Sequence, residues 1–214
     1  MALPAALGRL LMSFLPGQAI PSLLGVSQTA RRLCVCLHEL DLSSCGELTD
    51  VRFVSSLVRL RTLSCSSYQL VDVTPLSSLT SLDSLYLDFV HYPYCICGRL
   101  TDVSPLSSLV ALETLYLVGC KHLIDVSPLA TLISLTSLDL SSCYLLSNVL
   151  PLSSLTSLTN LNLSSCYQLS NVLPLLSLTS LDNLNLSMCG QLSDVSPLSP
   201  LTSLTSLDLQ GVVN

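Results

Sequence analysis

The sequence predicts an α/β repeat solenoid, with a concave parallel β-sheet of about eight strands and short helical or 3₁₀ turns on the convex side. The main observation is that three residue types recur at one period of 23 residues. A fixed period of this length is the signature of a stacked repeat architecture. A second observation is that half of the residues are hydrophobic and only 10% are charged, which argues against a disordered chain. The recurring residues are the leucines 115, 138, 161, 184 and 207, the cysteines 97, 120, 143, 166 and 189, and the prolines 105, 128, 151, 174 and 197.

Each repeat begins with a predicted strand. In segments such as LDL from Leu138, leucines alternate with polar residues, as expected of a strand with one buried face. A single strand of this kind cannot bury its leucines alone, so neighbouring copies must stack and share one core. Eight copies can be placed, with strand leucines at Leu40, Leu63, Leu85, Leu115, Leu138, Leu161, Leu184 and Leu207.

The second half of each repeat, S-P-L-S-S-L in its commonest form, predicts a short helical or 3₁₀ turn. Ser is a preferred N-cap and Pro is favoured at the first helical position, so Ser104 and Pro105 would begin such a turn. An acidic or amide residue stands just before it in seven copies, where its side chain can bond a nearby backbone N–H. We expect these residues to form a structural ladder: Asp50, Asp72, Asp102, Asp125, Asn148, Asn171 and Asp194.

The L-x-x-L-x-L core within this period resembles the leucine-rich repeat. Copies with a cysteine after the strand and a D-V-S-P-L segment are similar to expanded arrays of protozoan parasites, trypanosomatids especially. The longer D-V-S-P-L-S-S-L-T-S-L half resembles the repeats of bacterial internalins. The resemblance covers roughly residues 33–211, and it implies a horseshoe fold more specifically than it implies a function.

The repeat boundaries divide the chain into two parts. Residues 1–32 are predicted to be an N-terminal capping segment, with a cleaved signal peptide ending near Ala19 as the alternative. Residues 33–214 are predicted to form the eight-repeat array, with no evident C-terminal cap. That end is therefore expected to be a break in a longer repeat protein or a surface for end-to-end self-association. No apolar run is long enough to predict a membrane span.

One repeat is longer than the others. From Leu85 to Leu115 is 30 residues, seven more than the period, and the insertion lies at residues 89–96. Insertions in repeat proteins often lie on the binding face. The outward strand positions are Asp41, Ser64, Tyr86, Tyr116, Asp139, Asn162, Asn185 and Asp208, so the two tyrosines stand on consecutive strands beside the insertion. The candidate binding patch is Tyr86, Asp88, Phe89, His91, Tyr92, Tyr94, Glu113 and Tyr116. The alternative is a drifted insertion whose aromatic residues only pack on the edge of the solenoid.

Six of the ten cysteines share one repeat position, and we predict that they are buried free thiols: Cys45, Cys97, Cys120, Cys143, Cys166 and Cys189. Equivalent side chains on stacked strands point the same way, which does not suit a disulfide. Free thiols favour a reducing compartment, so an intracellular (cytoplasmic) location is preferred over a secreted or cell-surface one. Two local groups carry two cysteines and a histidine, but their C-x-C spacing is wrong for zinc, and we predict no metal site. These groups are Cys34, Cys36 and His38, and His91, Cys95 and Cys97.

The remaining features indicate a binding protein. No catalytic or nucleotide-binding motif is present, so we predict no enzyme activity and no cofactor. A formal charge of −6 with a single lysine disfavours nucleic acid as a partner. The sequence therefore predicts a non-enzymatic protein–protein interaction scaffold. The alternatives are an internalin-like secreted or surface recognition protein and a truncated member of an expanded repeat family.

Overall fold

The computed structural model describes residues 37–43, 45–46, 48–67, 69–88 and 99–212. These residues form one parallel sheet whose eight strands lie side by side in sequence order, as the repeat period predicted. The array is therefore a solenoid of stacked repeats. The strands are β1 (Glu39–Asp41), β2 (Thr62–Ser64), β3 (Ser84–Tyr86), β4 (Thr114–Tyr116), β5 (Ser137–Asp139), β6 (Asn160–Asn162), β7 (Asn183–Asn185) and β8 (Ser206–Asp208).

The register of the sheet follows the leucine repeat. The central leucine of each strand pairs with the central leucine of the next, as Leu138 does with Leu161. These leucines are buried from β1 to β7, whereas the residues on either side of them point to the opposite face of the sheet. We call that opposite side the open face. All three side chains of β8 are exposed, since β7 is its one strand neighbour among the described residues.

The second half of each repeat folds into a short 3₁₀ helix. The described residues contain seven: Arg52–Ser56, Thr74–Ser78, Ser104–Ser108, Ser127–Thr131, Leu150–Ser154, Leu173–Ser177 and Ser196–Leu198.

The expected serine N-cap is wrong. Ser104 is the first residue within its helix, and the N-cap position belongs to Val103, whose side chain is buried in the core. The valine side chain has no atom that can accept a hydrogen bond from the first N–H groups of the helix. The Asp102 carboxylate does so instead, accepting the backbone N–H of Ser104 at 2.8 Å.

The same contact recurs in all seven described copies and confirms the predicted Asp/Asn ladder. Each side chain accepts the N–H two residues on, at 2.8 or 2.9 Å. Hydrogen bonds to the ionised form stabilise it, so the pKa of each of the five aspartates lies below its ordinary value. Much of the negative charge of the chain is therefore part of the repeat architecture.

A second polar ladder, which the sequence analysis did not predict, joins neighbouring 3₁₀ helices. The hydroxyl of Ser154 donates to the carbonyl of Ala130 in the preceding repeat at 2.9 Å, and to Pro151 in its own turn at 3.2 Å. Equivalent inter-repeat bonds are made by Ser78, Ser108, Thr131 and Ser177. One hydroxyl per repeat thus satisfies a carbonyl that the short helices leave without a backbone donor.

Cys120, Cys143, Cys166 and Cys189 form the predicted ladder inside the core, whereas Cys45 at the same repeat position is half-buried at its edge. Cys143, Cys166 and Cys189 each donate through Sγ to a leucine carbonyl of the previous repeat, at 3.5, 3.4 and 3.2 Å. Among the described residues, Cys65, Cys120, Cys143, Cys166 and Cys189 are buried free thiols. Burial is the main cause that raises the pKa of Cys65 to about 12, and it also raises the pKa of Cys166. The cysteines 34, 36, 95 and 97 lie outside the described residues.

The second repeat, one residue shorter than the period, fills the ladder differently. Ser67 is fully buried there, and its hydroxyl donates to the carbonyls of Gly46 at 2.9 Å and Leu48 at 2.5 Å. A serine therefore links this repeat to the preceding one, as the thiols do further along the chain.

Candidate functional site

The central feature of the open face is a pair of tyrosines. Tyr86 on β3 and Tyr116 on β4 are register partners, so their side chains leave the sheet at neighbouring points. Their ring centroids are 5.2 Å apart and the ring planes meet at 87°, an edge-to-face contact. Each ring is half-buried. The pair is a pre-formed aromatic platform with polar hydroxyl tips.

The described part of the predicted patch surrounds this platform. Asp88 follows Tyr86 by two residues and is half-buried, and Glu113 lies exposed one residue before β4. The Glu113 carbonyl is used in the sheet, where it accepts the N–H groups of Thr136 and Ser137. Phe89, His91, Tyr92 and Tyr94, the inserted part of the patch, lie outside the described residues, as do the two cysteines of the same segment, Cys95 and Cys97.

The open face continues from Tyr116 into a row of fixed polar side chains. The row consists of Asp139, Asn162, Asn185 and Asp208, the third residues of β5 to β8. In each of them Oδ1 accepts the backbone N–H two residues on, at 2.8 to 3.0 Å. Asn162 also donates Nδ2 to Asp139 Oδ2 at 2.9 Å. These contacts hold the side chains of the row in one orientation.

A parallel row of amides lies at the first position of the strands. Asn183 Nδ2 donates to Asn160 Oδ1 at 2.8 Å and to Asp182 Oδ2 at 3.1 Å. The two rows line a shallow depression of about 310 Å³ that runs along β4–β8 from Tyr116 to Asp208. The outward direction of the third-position residues was predictable from the sequence, but this connected surface was not. Its signal is the repeated N-L-N of β6 and β7.

A second aromatic group, also missed, lies beside the cysteine ladder and away from the sheet. Tyr144 and Tyr167 directly follow two ladder cysteines, and their rings stack with centroids 4.7 Å apart and planes 28° from parallel. Lys121 Nζ lies 5.2 Å from the centroid of the Tyr144 ring, at cation–π distance. The C-Y pair in two adjacent copies is the sequence signal for this stack.

The described residues contain neither a metal-binding cluster nor a membrane-spanning helix. Within those ranges, no three His, Cys, Asp or Glu side chains are grouped so that they could bind a metal ion. No helix in the same ranges has the length and apolarity needed to cross a membrane.

Neither a family model nor a curated protein matches the chain, but solved structures do. An internalin (inlF) from Listeria monocytogenes is 31% identical, with a TM-score of 0.72 over 83% of this chain and 48% of that one. Internalin C2 of the same organism is 28% identical, with a TM-score of 0.60 over 88% and 89%. The functional domain of InlJ, described as including a cysteine ladder, is 20% identical, with a TM-score of 0.50 over 82% and 42%.

The similarity to the two internalins shows that the fold is a leucine-rich-repeat solenoid. The chain spans about half the length of the internalin inlF, so the activity of that whole protein does not transfer to it. The likeness to the InlJ domain shows a shared fold alone. The predicted similarity to protozoan arrays stays a prediction.

Proposed function

The chain is a leucine-rich-repeat protein, and we propose that it is a non-enzymatic scaffold that binds a protein partner on the open face of its sheet. The observation that carries this proposal is the edge-to-face contact of Tyr86 and Tyr116. Tyrosine is enriched in the residues that dominate binding energy, because it combines a large contact area with a polar tip. A tyrosine also has few rotatable bonds, so ordering it on binding costs little entropy.

The surroundings of the platform suggest the character of the partner. Residues 62–214 contain two basic and ten acidic side chains, a balance of 2 − 10 = −8. Asp88 and Glu113 add negative charge near the tyrosines. We therefore propose a partner with a basic rim around an apolar or aromatic centre, since complementary charge steers association. Phe89, His91, Tyr92 and Tyr94 of the insertion complete the proposed patch.

The test uses the two tyrosine pairs of the same chain. We expect Y86A/Y116A to lose the partner captured by the wild-type protein from its native source, because it removes the platform. Y144A/Y167A is the matched control, since it deletes a pair of the same size away from the sheet, and we expect it to keep the partner. Thermal unfolding of both variants checks that they remain folded. Equal capture by both double variants would contradict the proposed location.

The second candidate function is extracellular recognition of the internalin type. It is favoured by the 31% identity to the internalin inlF over 83% of this chain. The intracellular alternative rests on the buried free thiols of the ladder. The mass of the protein isolated from its native source separates the two: cleavage after Ala19 supports the extracellular candidate, and an intact first residue with reduced thiols supports the intracellular one.

Self-association through the edge of β8 is a separate proposal. Leu207 at the centre of β8 is 44% exposed, whereas the equivalent leucine of β7 is buried. L207S should weaken any assembly that stacks one array on the end of another.

A further inference from the structure

Two adjacent repeats depart from the D-V-S-P-L pattern in the same way. Their segments are N-V-L-P-L, with Asn148 and Asn171 in place of Asp and Leu150 and Leu173 in place of Ser. The turn itself is unchanged, because the Asn side chains accept the N–H groups of Leu150 and Leu173 at 2.9 and 2.8 Å. The double change therefore alters only the surface: it removes two charges and adds two apolar side chains.

These leucines are not part of the core. Leu150 is 60% exposed and Leu173 is 51% exposed. Leu176, 43% exposed, stands where the preceding repeat has Ser153. The three lie on neighbouring 3₁₀ helices, which are tied together by the bond from the Ser177 hydroxyl to the Ser153 carbonyl at 2.8 Å. We call Leu150, Leu173 and Leu176 the leucine patch.

We propose that the leucine patch is the contact between two copies of this chain. A basic partner would be attracted by aspartates, and these two repeats carry asparagines in their place, so the patch does not fit a basic partner. A membrane surface favours Lys and Arg beside an apolar patch, and the sequence contains neither after Lys121. A second copy is itself acidic, with a formal charge of −6, and can approach where the aspartate ladder is interrupted. The loss of two negative charges and the gain of two exposed leucines therefore both favour contact with a second copy of the chain.

The patch has the symmetry that a dimer contact needs. In a two-fold interface, residue i of one copy meets residue j of the other and j meets i. The patch contains two equivalent leucines one repeat apart, so an axis between them places Leu150 of each copy against Leu173 of the other. In this arrangement Asp125 of each copy lies opposite Asp194 of the other, outside the leucine contact. Sliding the copies by one repeat would leave one leucine pair instead of two and would place an aspartate opposite a leucine.

The experiment measures the mass of the full chain by sedimentation equilibrium over a wide range of concentrations. The wild type is expected to be a dimer that dissociates on dilution, with a high dissociation constant because the contact is small. L150S/L173S and N148D/N171D restore residues that other repeats of this chain carry at these positions, so both should fold. Each is expected to raise the dissociation constant at least about ten-fold. High salt should restore dimerisation of N148D/N171D, because it screens the added charges, but not of L150S/L173S.

Cross-linking tests the two-fold geometry. A mixture of L150C and L173C chains treated with a short thiol cross-linker should give more dimer than either variant alone. A wild-type chain that is monomeric at every concentration would overturn the proposal. So would a dimer that L207S abolishes and the patch variants leave intact, since the contact would then be the β8 edge.

Discussion

The buried hydroxyl of Ser67 offers a quantitative test of how the repeats are joined. Replacing it with alanine removes the donor to two backbone carbonyls, those of Gly46 and Leu48. Ser67 is fully buried, so water does not replace the hydroxyl without local opening. The hydroxyl has one proton, which the two carbonyls share, and its removal leaves acceptors unsatisfied at a buried site at a cost of about 1–3 kcal/mol. S67A should therefore lower the free energy of unfolding by about 2 kcal/mol.

The assay is equilibrium unfolding in urea together with thermal unfolding. For a chain of this size, a loss of about 2 kcal/mol corresponds to a fall in Tm of about 4–8 °C. The matched control is S78A, because the Ser78 hydroxyl also donates to two carbonyls, Ser55 at 3.0 Å and Pro75 at 3.2 Å, but at an exposed position. Water can solvate those carbonyls, so S78A should cost less than about 0.5 kcal/mol. Equal effects of the two substitutions would refute the view that burial makes the Ser67 bonds expensive to lose.

Three further predictions concern the aspartate ladder, the thiols and the turns after the strands. The pKa of Asp102 and of its equivalents is lower in the folded protein than in the unfolded chain, so these carboxylates stabilise the fold above their ordinary pKa and lose this effect as the pH falls through the folded-state pKa. D102N/D125N keeps the hydrogen-bond acceptors but removes the ionisable groups. The urea concentration at half-unfolding should therefore fall less steeply on acidification in D102N/D125N than in the wild type. The five buried thiols should resist alkylation in the native protein and react after unfolding, as residue-resolved mass spectrometry would show, because burial hinders access and raises the pKa of Cys65 and Cys166. Ser142 and Gly119 occupy equivalent positions in their repeats, and both have a left-handed backbone, with φ of 59° and 77°. Glycine adopts this conformation without the strain that a Cβ causes. S142G should therefore raise the free energy of unfolding by about 1 kcal/mol, and G119A should lower it by about the same amount.

Each of these predictions has an outcome that contradicts it. An acid dependence unchanged in D102N/D125N would mean that other carboxylates control acid unfolding. Rapid alkylation of Cys143 or Cys166 in the native state would mean that the core opens locally. A loss of stability in S142G would mean that the serine side chain contributes more than its backbone strain costs.

Much of the fold could be predicted from the sequence because the repeat makes local and tertiary patterns coincide. Each strand packs against a near copy of itself, so the period alone determines the neighbours, the parallel register and the inward leucines. The Asp/Asn ladder was predictable for the same reason, since its bonds lie within one turn. The N-cap was not, because local preference favours Ser104, whereas burial of Val103 in the core shared by the repeats places the valine at that position.

In the candidate site, too, the positions of the residues could be predicted from the repeat, whereas their side-chain contacts could not. Tyr86 and Tyr116 could be placed side by side from sequence spacing, but their edge-to-face packing depends on side-chain rotamers that spacing does not specify. The amide rows of β5–β8 were missed because their hydrogen bonds cross between repeats 23 residues apart. The role of Ser67 in place of a ladder cysteine was missed because its repeat is one residue shorter than the period, so counting by 23 does not align Ser67 with the cysteines.

The sequence by itself therefore determined the repeat unit, the strand order, the inward leucines and the positions that face outward. Only the tertiary structure decided which polar groups meet across repeats, in the hydroxyl ladder and the two polar rows of the open face, and how the rings of the two tyrosine pairs pack. The physical reason is that hydrophobic burial is non-directional and follows the period, whereas hydrogen bonds and ring contacts depend on the distance and angle between particular atoms.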